Sequence, residues 1–179
     1  MYIVLEGIDG SGKTTQVEKL AEYFRNQGKE VILTREPRRN EGIIGRLIAE
    51  VLKGDATVSS TALQYLFTAD RVMHYEELIL PALQEEKVVI SDRCFWSAIP
   101  YGILDRMKEE REYNFTDGKI ILVAQGILSM YHEFLVPDFT FYLDVPVEVC
   151  FNRIKSTGAK MEIYETKDKL GKIKKGNVS

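Results

Sequence analysis

The stretch that decides the fold lies at residues 7–14 and reads Gly7-Ile8-Asp9-Gly10-Ser11-Gly12-Lys13-Thr14. It directly follows an apolar run at residues 2–5. Glycines let a backbone loop wrap an anion with its N–H groups, because they tolerate dihedral angles that other residues resist. A helix that begins at the lysine points its free N–H groups and the positive end of its dipole at the same anion. The stretch therefore predicts a loop that binds a phosphate chain.

The predicted loop assigns a role to each of its residues. Lys13 reaches the β- and γ-phosphates of a nucleoside triphosphate, and the Thr14 hydroxyl ligates the Mg²⁺ that accompanies them. Apolar residues then recur with the spacing of a helix face, which favours a strand–loop–helix unit over a simple glycine-rich turn. The donor phosphates are expected to contact Gly7, Ile8, Asp9, Gly10, Ser11, Gly12, Lys13, Thr14 and Thr15.

The composition is typical of one soluble domain spanning residues 1–179, with 45% hydrophobic and 28% charged residues. A net charge of −3 gives no reason to expect a nucleic-acid partner. Cys94 and Cys150 are too few for a disulfide framework, which favours the reducing cytoplasm. No signal peptide is visible, and the apolar run at residues 120–124 is too short to cross a membrane.

Strand and helix signals alternate along the chain. Strands are predicted at residues 2–6, 30–34, 87–91 and 138–144, and helices at 14–26, 43–52, 60–84 and 118–135, with one more from Pro146. Such alternation predicts an α/β fold in which helices cover both faces of a parallel sheet. Ligands of these sheets bind beyond the carboxyl ends of the strands, where the phosphate loop lies. Residues 170–179 are rich in Lys and Gly and are expected to fray.

Asp92 and Arg93 follow the third predicted strand at its carboxyl end. An acid in that position can hold Mg²⁺, and the adjacent arginine can bind a second phosphate with two parallel hydrogen bonds. The alternative is an aspartate that caps a helix beside a solvated arginine. The phosphate loop favours a catalytic role for both residues.

Phe67 and Arg71 lie one turn apart on the long predicted helix. An aromatic ring that stacks on a base, beside a guanidinium that bonds the edge of that base, would bind a nucleobase. Spacing alone favours the plainer alternative, a core aromatic beside an arginine that extends to solvent.

Three arginines, Arg35, Arg38 and Arg39, crowd the loop after the second strand. They could neutralise an acceptor phosphate or form a solvated turn, and the sequence favours neither. His74 and His132 have no partner at metal-ligand spacing and are interpreted as structural.

Several stretches, in order, resemble the thymidylate kinase family of P-loop nucleoside-monophosphate kinases. They are LEGIDGSGKTTQ (5–16), TREP (34–37), IGRLI (44–48), LQYLFTADR (63–71), VVISDR (88–93), PDFTFYLDV (137–145) and EIYE with LGKIK (162–174). The first and fourth are the most specific, because they separate this family from other P-loop kinases. The resemblance covers nearly the whole chain.

The resemblance implies a three-layer P-loop fold and transfer of the γ-phosphoryl group of ATP to dTMP, with Mg²⁺ and usually in a homodimer. It assigns Lys13 and Thr14 to the donor phosphates and Mg²⁺, and Asp9 to the sugar of the monophosphate. The same comparison implies that Phe67 stacks on thymine and that Arg71 bonds the edge of the base. The other residues that it places at dTMP are Arg35, Arg39, Arg93 and Tyr101.

The chain departs from the family pattern at several positions. Gly102 stands where relatives carry an amide that helps to recognise the base, and Arg38-Arg39 replace glycines. Neither Gly10 nor the predicted lid at residues 155–162 supplies the catalytic arginine of relatives. Lys160, or Lys155, is therefore expected to substitute for it in part, with slow turnover. The family's last strand and helix are expected to be missing, which would leave the fourth strand at an unprotected edge.

Three functions remain open on the sequence. The first is a thymidylate kinase, and the second is a kinase for another deoxynucleotide or nucleoside, which Gly102 makes plausible. The third is a nucleotide-binding protein with little catalytic activity, favoured by the missing lid arginine. A GTPase is disfavoured because no Asn-Lys-x-Asp stretch occurs.

Overall fold

The computed structural model describes residues 1–109, 117–130 and 135–178 of the chain. The strands are β1 (Tyr2–Glu6), β2 (Val31–Arg35), β3 (Val88–Asp92) and β4 (Phe139–Tyr142). The helices are α1 (Lys13–Asn26), α2 (Gly42–Lys53), α3 (Ser60–His74), α4 (Leu80–Gln84), α5 (Ala98–Glu109), α6 (Asp117–Leu128), α7 (Val147–Ser156) and α8 (Lys167–Val178). A π-helical turn, Tyr75–Ile79, joins α3 to α4 without a break.

The four strands form one parallel sheet in the order β2-β3-β1-β4, which confirms the predicted fold class. Leu5 of β1 and Arg35 of β2 both lie opposite Asp92 of β3, so the carboxyl ends of these strands are level. This register brings the loop after β1 beside the residues that follow β2 and β3.

Side chains alternate between the two faces of β1, as a strand dictates. Ile3 and Leu5 pack with Val17 and Ala21 of α1. Tyr2 and Val4 pack on the opposite face against the π-helical turn and α4. Because both faces of β1 are covered, its five residues are all buried.

β4 forms the edge of the sheet and pairs with β1. Its side chains are much less buried than those of β1, and Phe139 and Phe141 are both 53% exposed. Within the three described ranges no further strand pairs with the outer edge of β4. The expected exposed edge is therefore present.

One expectation about the C-terminal half was wrong, and one helix there was missed. Residues 170–178 belong to helix α8, which packs on α5 and α7 and in which Leu170 and Ile173 are fully buried, so this segment is packed rather than frayed. Helix α5 was not predicted, because its periodicity is interrupted by Pro100 and Gly102. His132 lies outside the described residues. No described helix is long and apolar enough to cross a membrane.

Candidate active site

The loop between β1 and α1 has the geometry of an anion site. Gly10 and Gly12 have φ angles of 78° and 97°, in the region that favours glycine. Helix α1 begins at Lys13 after Gly12, and no side chain caps it, so its first N–H groups are available to a ligand. A Cβ on Gly10 would lie 2.4 Å from the carbonyl oxygen of Cys150 in α7, so this position accepts only glycine.

Lys13 lies in the loop that it is expected to serve. Its Nζ donates hydrogen bonds to the carbonyl oxygens of Gly7 at 3.0 Å and Ile8 at 3.1 Å. Burial and the nearby Arg93 lower the pKa of Lys13 to about 8, although Asp9 and Asp92 oppose the shift. A phosphate chain would supply the compensating negative charge.

Thr14 and Asp92 lie together at the start of α1. The Thr14 hydroxyl donates a hydrogen bond to Asp92 Oδ2 at 3.0 Å, and Asp92 Oδ1 is buried without a hydrogen-bond partner among the described residues. Mg²⁺ prefers one or two carboxylates together with substrate phosphates and water. No group of three or more His, Cys, Asp or Glu side chains suited to a metal occurs in the part of the chain that the structure describes. The pair therefore fits an ion that arrives with a nucleotide.

A pocket opens next to the phosphate loop. It is lined by six of the seven residues that the resemblance assigned to dTMP, namely Asp9, Arg39, Phe67, Arg71, Arg93 and Tyr101. The remaining lining residues are Glu36, Pro37, Leu52, Ser97, Ala98, Glu162 and Tyr164. The seventh assigned residue, Arg35, is exposed and lines a separate depression with Arg38 and Lys53.

Arg93 connects the two sites. Its Nη2 donates a hydrogen bond to Asp9 Oδ1 at 2.7 Å, and its Nη1 donates one to Ser97 Oγ at 3.0 Å. Burial alone would raise the pKa of Asp9, but Arg93 and Lys13 outweigh it and hold that pKa well below its usual range. Arg93 is buried with a φ of 80°, so it is not the solvated arginine of the alternative interpretation.

Arg71 is held from behind by a buried carboxylate. Its Nε donates a hydrogen bond to Glu36, and its Nη2 contacts the carbonyl oxygen of Cys94 at 3.5 Å. His74 lies 3.4 Å from the other oxygen of Glu36 and 2.6 Å from Thr34 Oγ1, which agrees with its structural interpretation. Burial opposes the shift, but Arg71 and His74 lower the pKa of Glu36. Arg71 therefore has a fixed orientation at the pocket instead of extending to solvent.

Comparison with known proteins agrees with this geometry. The family model described as thymidylate kinase matches residues 5–178. A probable thymidylate kinase of Thermococcus kodakarensis is 40% identical over 181 residues, which cover 95% of this chain and 80% of that protein. The chain belongs to the thymidylate kinase family. A thymidylate kinase of Acinetobacter baumannii is 35% identical over 162 residues, 89% of this chain and 74% of that one.

A solved structure supports the same assignment. That of thymidylate kinase from Candida albicans matches with a TM-score of 0.75 and 26% identity, covering 99% of this chain and 76% of that one. Arg38 and Arg39, which follow one another in the loop after β2, have different environments in the structure of this chain. Arg38 is buried, its backbone N–H and its side chain contact Asp70, and its side chain also pairs with Glu77. Arg39 faces the pocket and pairs with Glu162.

Lys160, the lysine of the predicted lid, does not lie at the phosphate loop of this chain. Lys160 is exposed and pairs with Asp55 at 2.9 Å. Instead Arg153, in the last turn of α7, donates from Nη1 to the carbonyl oxygen of Gly10 at 3.2 Å and lies 3.4 Å from that of Ser11. Arg153 was not predicted from the sequence, because it lies two residues before the predicted lid. An arginine on the helix leading into the lid was the signal that could have found it.

Gly102 does not line the acceptor pocket. A Cβ there would meet Ile127 Cδ1 of α6 at 2.3 Å and the Gln64 side chain at 3.4 Å, so residue 102 faces α6 and α3. The sequence also missed Glu162 and Tyr164 as pocket residues, although both belong to the EIYE stretch that carries the resemblance. Nothing in local spacing shows that this stretch returns to the pocket.

Proposed function

We propose that this chain transfers the γ-phosphoryl group of ATP to dTMP, giving dTDP. The observation that carries the proposal is the contact between Asp9 and Arg93, which joins the phosphate loop to the acceptor pocket. A donor bound at the loop and an acceptor bound at Arg93 would meet at this contact. Family membership supports dTMP as the acceptor and gives no support to another deoxynucleotide or to binding without catalysis.

The donor side needs positive charge and a fixed backbone. Lys13 and the free N–H groups of α1 would bind the β- and γ-phosphates, with the loop and the first residues of α1, Gly7–Thr15, surrounding them. Thr14 and Asp92 would hold Mg²⁺. The ion, when bound, neutralises charge on the phosphates during transfer.

The acceptor side separates into a phosphate end and a base end. Arg93 and Arg39 would bind the phosphate of dTMP, and Asp9 and Tyr101, which share a hydrogen bond in the same pocket, would contact the sugar. Phe67 would stack on thymine, while Arg71, oriented by Glu36, would bond the edge of the base. Arg35 lies outside this pocket, so we assign it no acceptor contact.

Arg153 is the best candidate for the missing catalytic arginine. A planar guanidinium suits the spread charge of a moving phosphoryl group better than an ammonium. Arg153 Nη1 lies 3.7 Å from the position of a Cβ on Gly12, directly over the phosphate loop. With ATP bound, Arg153 would exchange its hydrogen bonds to the loop carbonyl oxygens for hydrogen bonds to phosphate oxygens. Its positive charge would then lie beside the phosphoryl group that is transferred.

We also propose a homodimer formed through α3 and α6. Tyr65 and Val72 are exposed on one face of α3, and Ile121 and Leu122 are exposed on α6. Tyr65 and Leu122 line one groove, so apolar side chains of α3 and α6 share one surface. Contiguous apolar surface of this kind marks protein interfaces. Sedimentation of Tyr65→Glu against wild type tests the proposal, and an unchanged dimer would refute this surface.

The function is tested by ADP release from MgATP in the presence of each nucleoside monophosphate in turn. We expect dTMP to give the highest kcat/KM, and Lys13→Ala to lower turnover by about 10³ or more while the fold is retained. Equal turnover with several monophosphates would favour a broader kinase. Binding of ATP and dTMP without ADP release would favour a non-catalytic protein.

A further inference from the structure

Tyr164 forms a wall of the acceptor pocket and comes from the segment at residues 157–166, between α7 and α8. Its ring is 3% exposed and meets the Tyr101 ring edge-on, with centroids 4.9 Å apart. The segment has neither helix nor strand, so its own backbone does not fix this wall. Its position depends on contacts with the rest of the domain.

Asp105 provides such a contact from α5. Its carboxylate is 3% exposed, and Oδ2 accepts a hydrogen bond from the Tyr164 hydroxyl at 2.5 Å. Asp105 follows Tyr101 by one helical turn, so both lie on one side of α5. Burial and Asp105 raise the pKa of Tyr164 well above its usual value, so its hydroxyl stays protonated and can donate.

Tyr101 carries this arrangement to the substrate end of the pocket. Its hydroxyl donates a hydrogen bond to Asp9 Oδ2 at 3.3 Å, and the Arg93 guanidinium lies 5.3 Å from its ring centroid. Asp105 is therefore linked, through Tyr164 and Tyr101, to the two residues at which donor and acceptor would meet. Asp105 itself does not line the acceptor pocket.

We propose that Asp105 is a positioning residue for the acceptor site: it holds Tyr164 against Tyr101 and so forms the pocket wall before substrate arrives. Because the wall is already formed, no free energy is lost in ordering it when a ligand binds. This raises the affinity for the acceptor and not for ATP, which would bind at the phosphate loop on the other side of Asp9. The inference rests on the proposed function, which makes this pocket the dTMP site.

The test compares wild type with Asp105→Ala, Asp105→Asn, Tyr164→Phe and the double variant Asp105→Ala/Tyr164→Phe. Steady-state kinetics gives KM for dTMP and KM for ATP for each protein, and calorimetry gives its affinity for dTMP. Asp168→Asn, which removes an exposed charge paired with Lys172, and Tyr23→Phe, which alters an exposed ring, serve as matched controls. Wild-type turnover with dTMP in the same assay tests the proposed function separately.

We expect Asp105→Ala and Tyr164→Phe each to weaken dTMP binding and raise its KM about tenfold, the loss typical of one buried hydrogen bond. The double variant should be no worse than either single variant, and Asp105→Asn, which keeps an acceptor oxygen, should retain most of the affinity. KM for ATP should stay within about twofold. Lower thermal stability with an unchanged dTMP affinity in Tyr164→Phe would overturn the proposal, as would equal losses for both substrates. Tyr164→Phe decides the matter alone if Asp105→Ala does not fold.

Discussion

The guanidinium of Arg153 lies 3.2 Å from the carbonyl oxygen of Gly10, the position at which the phosphate loop has no room for a side chain. Helix α7 both excludes a side chain at residue 10 and places its own arginine over the loop. We therefore expect Arg153→Lys to lower kcat by about 10² or more with KM for dTMP unchanged, because the contact would form mainly in the transition state. Steady-state kinetics with both substrates varied measures this effect.

Two lysines of the lid provide the controls for Arg153. Lys155 lies over the Phe151 ring and Lys160 pairs with Asp55, so neither contacts the phosphate loop in this structure. Replacing either lysine by alanine should change kcat by less than about threefold, within the range of surface electrostatic effects. If Lys160→Ala lowers kcat as much as Arg153→Lys, the lid lysine is the catalytic cation, as the sequence had suggested.

The sheet and the phosphate loop could be predicted because their signals are local. Buried strands give short apolar runs, and Gly10, Gly12 and Lys13 serve one anion at fixed offsets. Arg153 and Tyr164 could not be assigned in this way, since their roles depend on how α7 and the following segment pack on the loop and on α5. Helix α8 was missed for a similar reason: Leu170 and Ile173 are stabilised by burial where α8 packs on α5 and α7, which a Lys-rich composition does not reveal.

Arg39 and Arg35 separate an acceptor contact from a surface charge. Arg39 faces the acceptor pocket, whereas Arg35 is exposed outside it. Arg39→Met should raise KM for dTMP about 10- to 100-fold, because a hydrogen bond to a charged group is worth about 1.5–3 kcal/mol. Arg35→Met should change it by less than about threefold. Similar losses for the two variants would show that Arg35 reaches the acceptor when substrate binds.

Phe67 and Arg71 should affect the acceptor far more than the donor. Loss of a stacking ring costs about 1–3 kcal/mol per base, so Phe67→Ala should raise KM for dTMP roughly 10- to 100-fold. Arg71→Ala should act in the same direction, with KM for ATP nearly constant. Phe67 also packs against the helical core, so thermal stability is measured in parallel. Equal loss of affinity for both ligands in calorimetry would indicate a purely structural role for Phe67.

Glu36 makes the stability of the domain depend on pH. Its pKa is lower in the folded protein than its usual value of 4.5, so the unfolded chain binds more protons in the acid range. The contribution of Glu36 is therefore complete above about pH 4.5 and is lost as pH falls through the folded pKa. Glu36→Gln should cost about 3 kcal/mol of unfolding free energy at pH 7, because it leaves Arg71 buried without its carboxylate.

Urea unfolding of wild type and Glu36→Gln at a series of pH values measures this difference. The gap between the two proteins should narrow as the solution becomes more acid than pH 4.5. Glu76→Gln, a change at an exposed carboxylate, should give no such trend. A gap that is constant from pH 7 to the acid range would show that the carboxylate charge does not stabilise the fold.

Gln64 and Gly102 line the same groove between α3, α5 and α6. Both amide atoms of Gln64 are buried without a hydrogen-bond partner in the described residues, and a Cβ on Gly102 would press on Ile127. Gln64→Leu keeps a similar volume and removes the unsatisfied amide, so it should stabilise the protein by about 1 kcal/mol.

Gly102→Ala should destabilise the protein by about 1–3 kcal/mol, since Ile127 must move. Gly171→Ala in α8 is the matched control, because a Cβ there meets open space and should stabilise by about 0.5–1 kcal/mol. Thermal unfolding of the three variants decides the matter. If Gly102→Ala is as stable as Gly171→Ala, α6 does not pack on α5 at this distance, and residue 102 is free to serve the acceptor pocket.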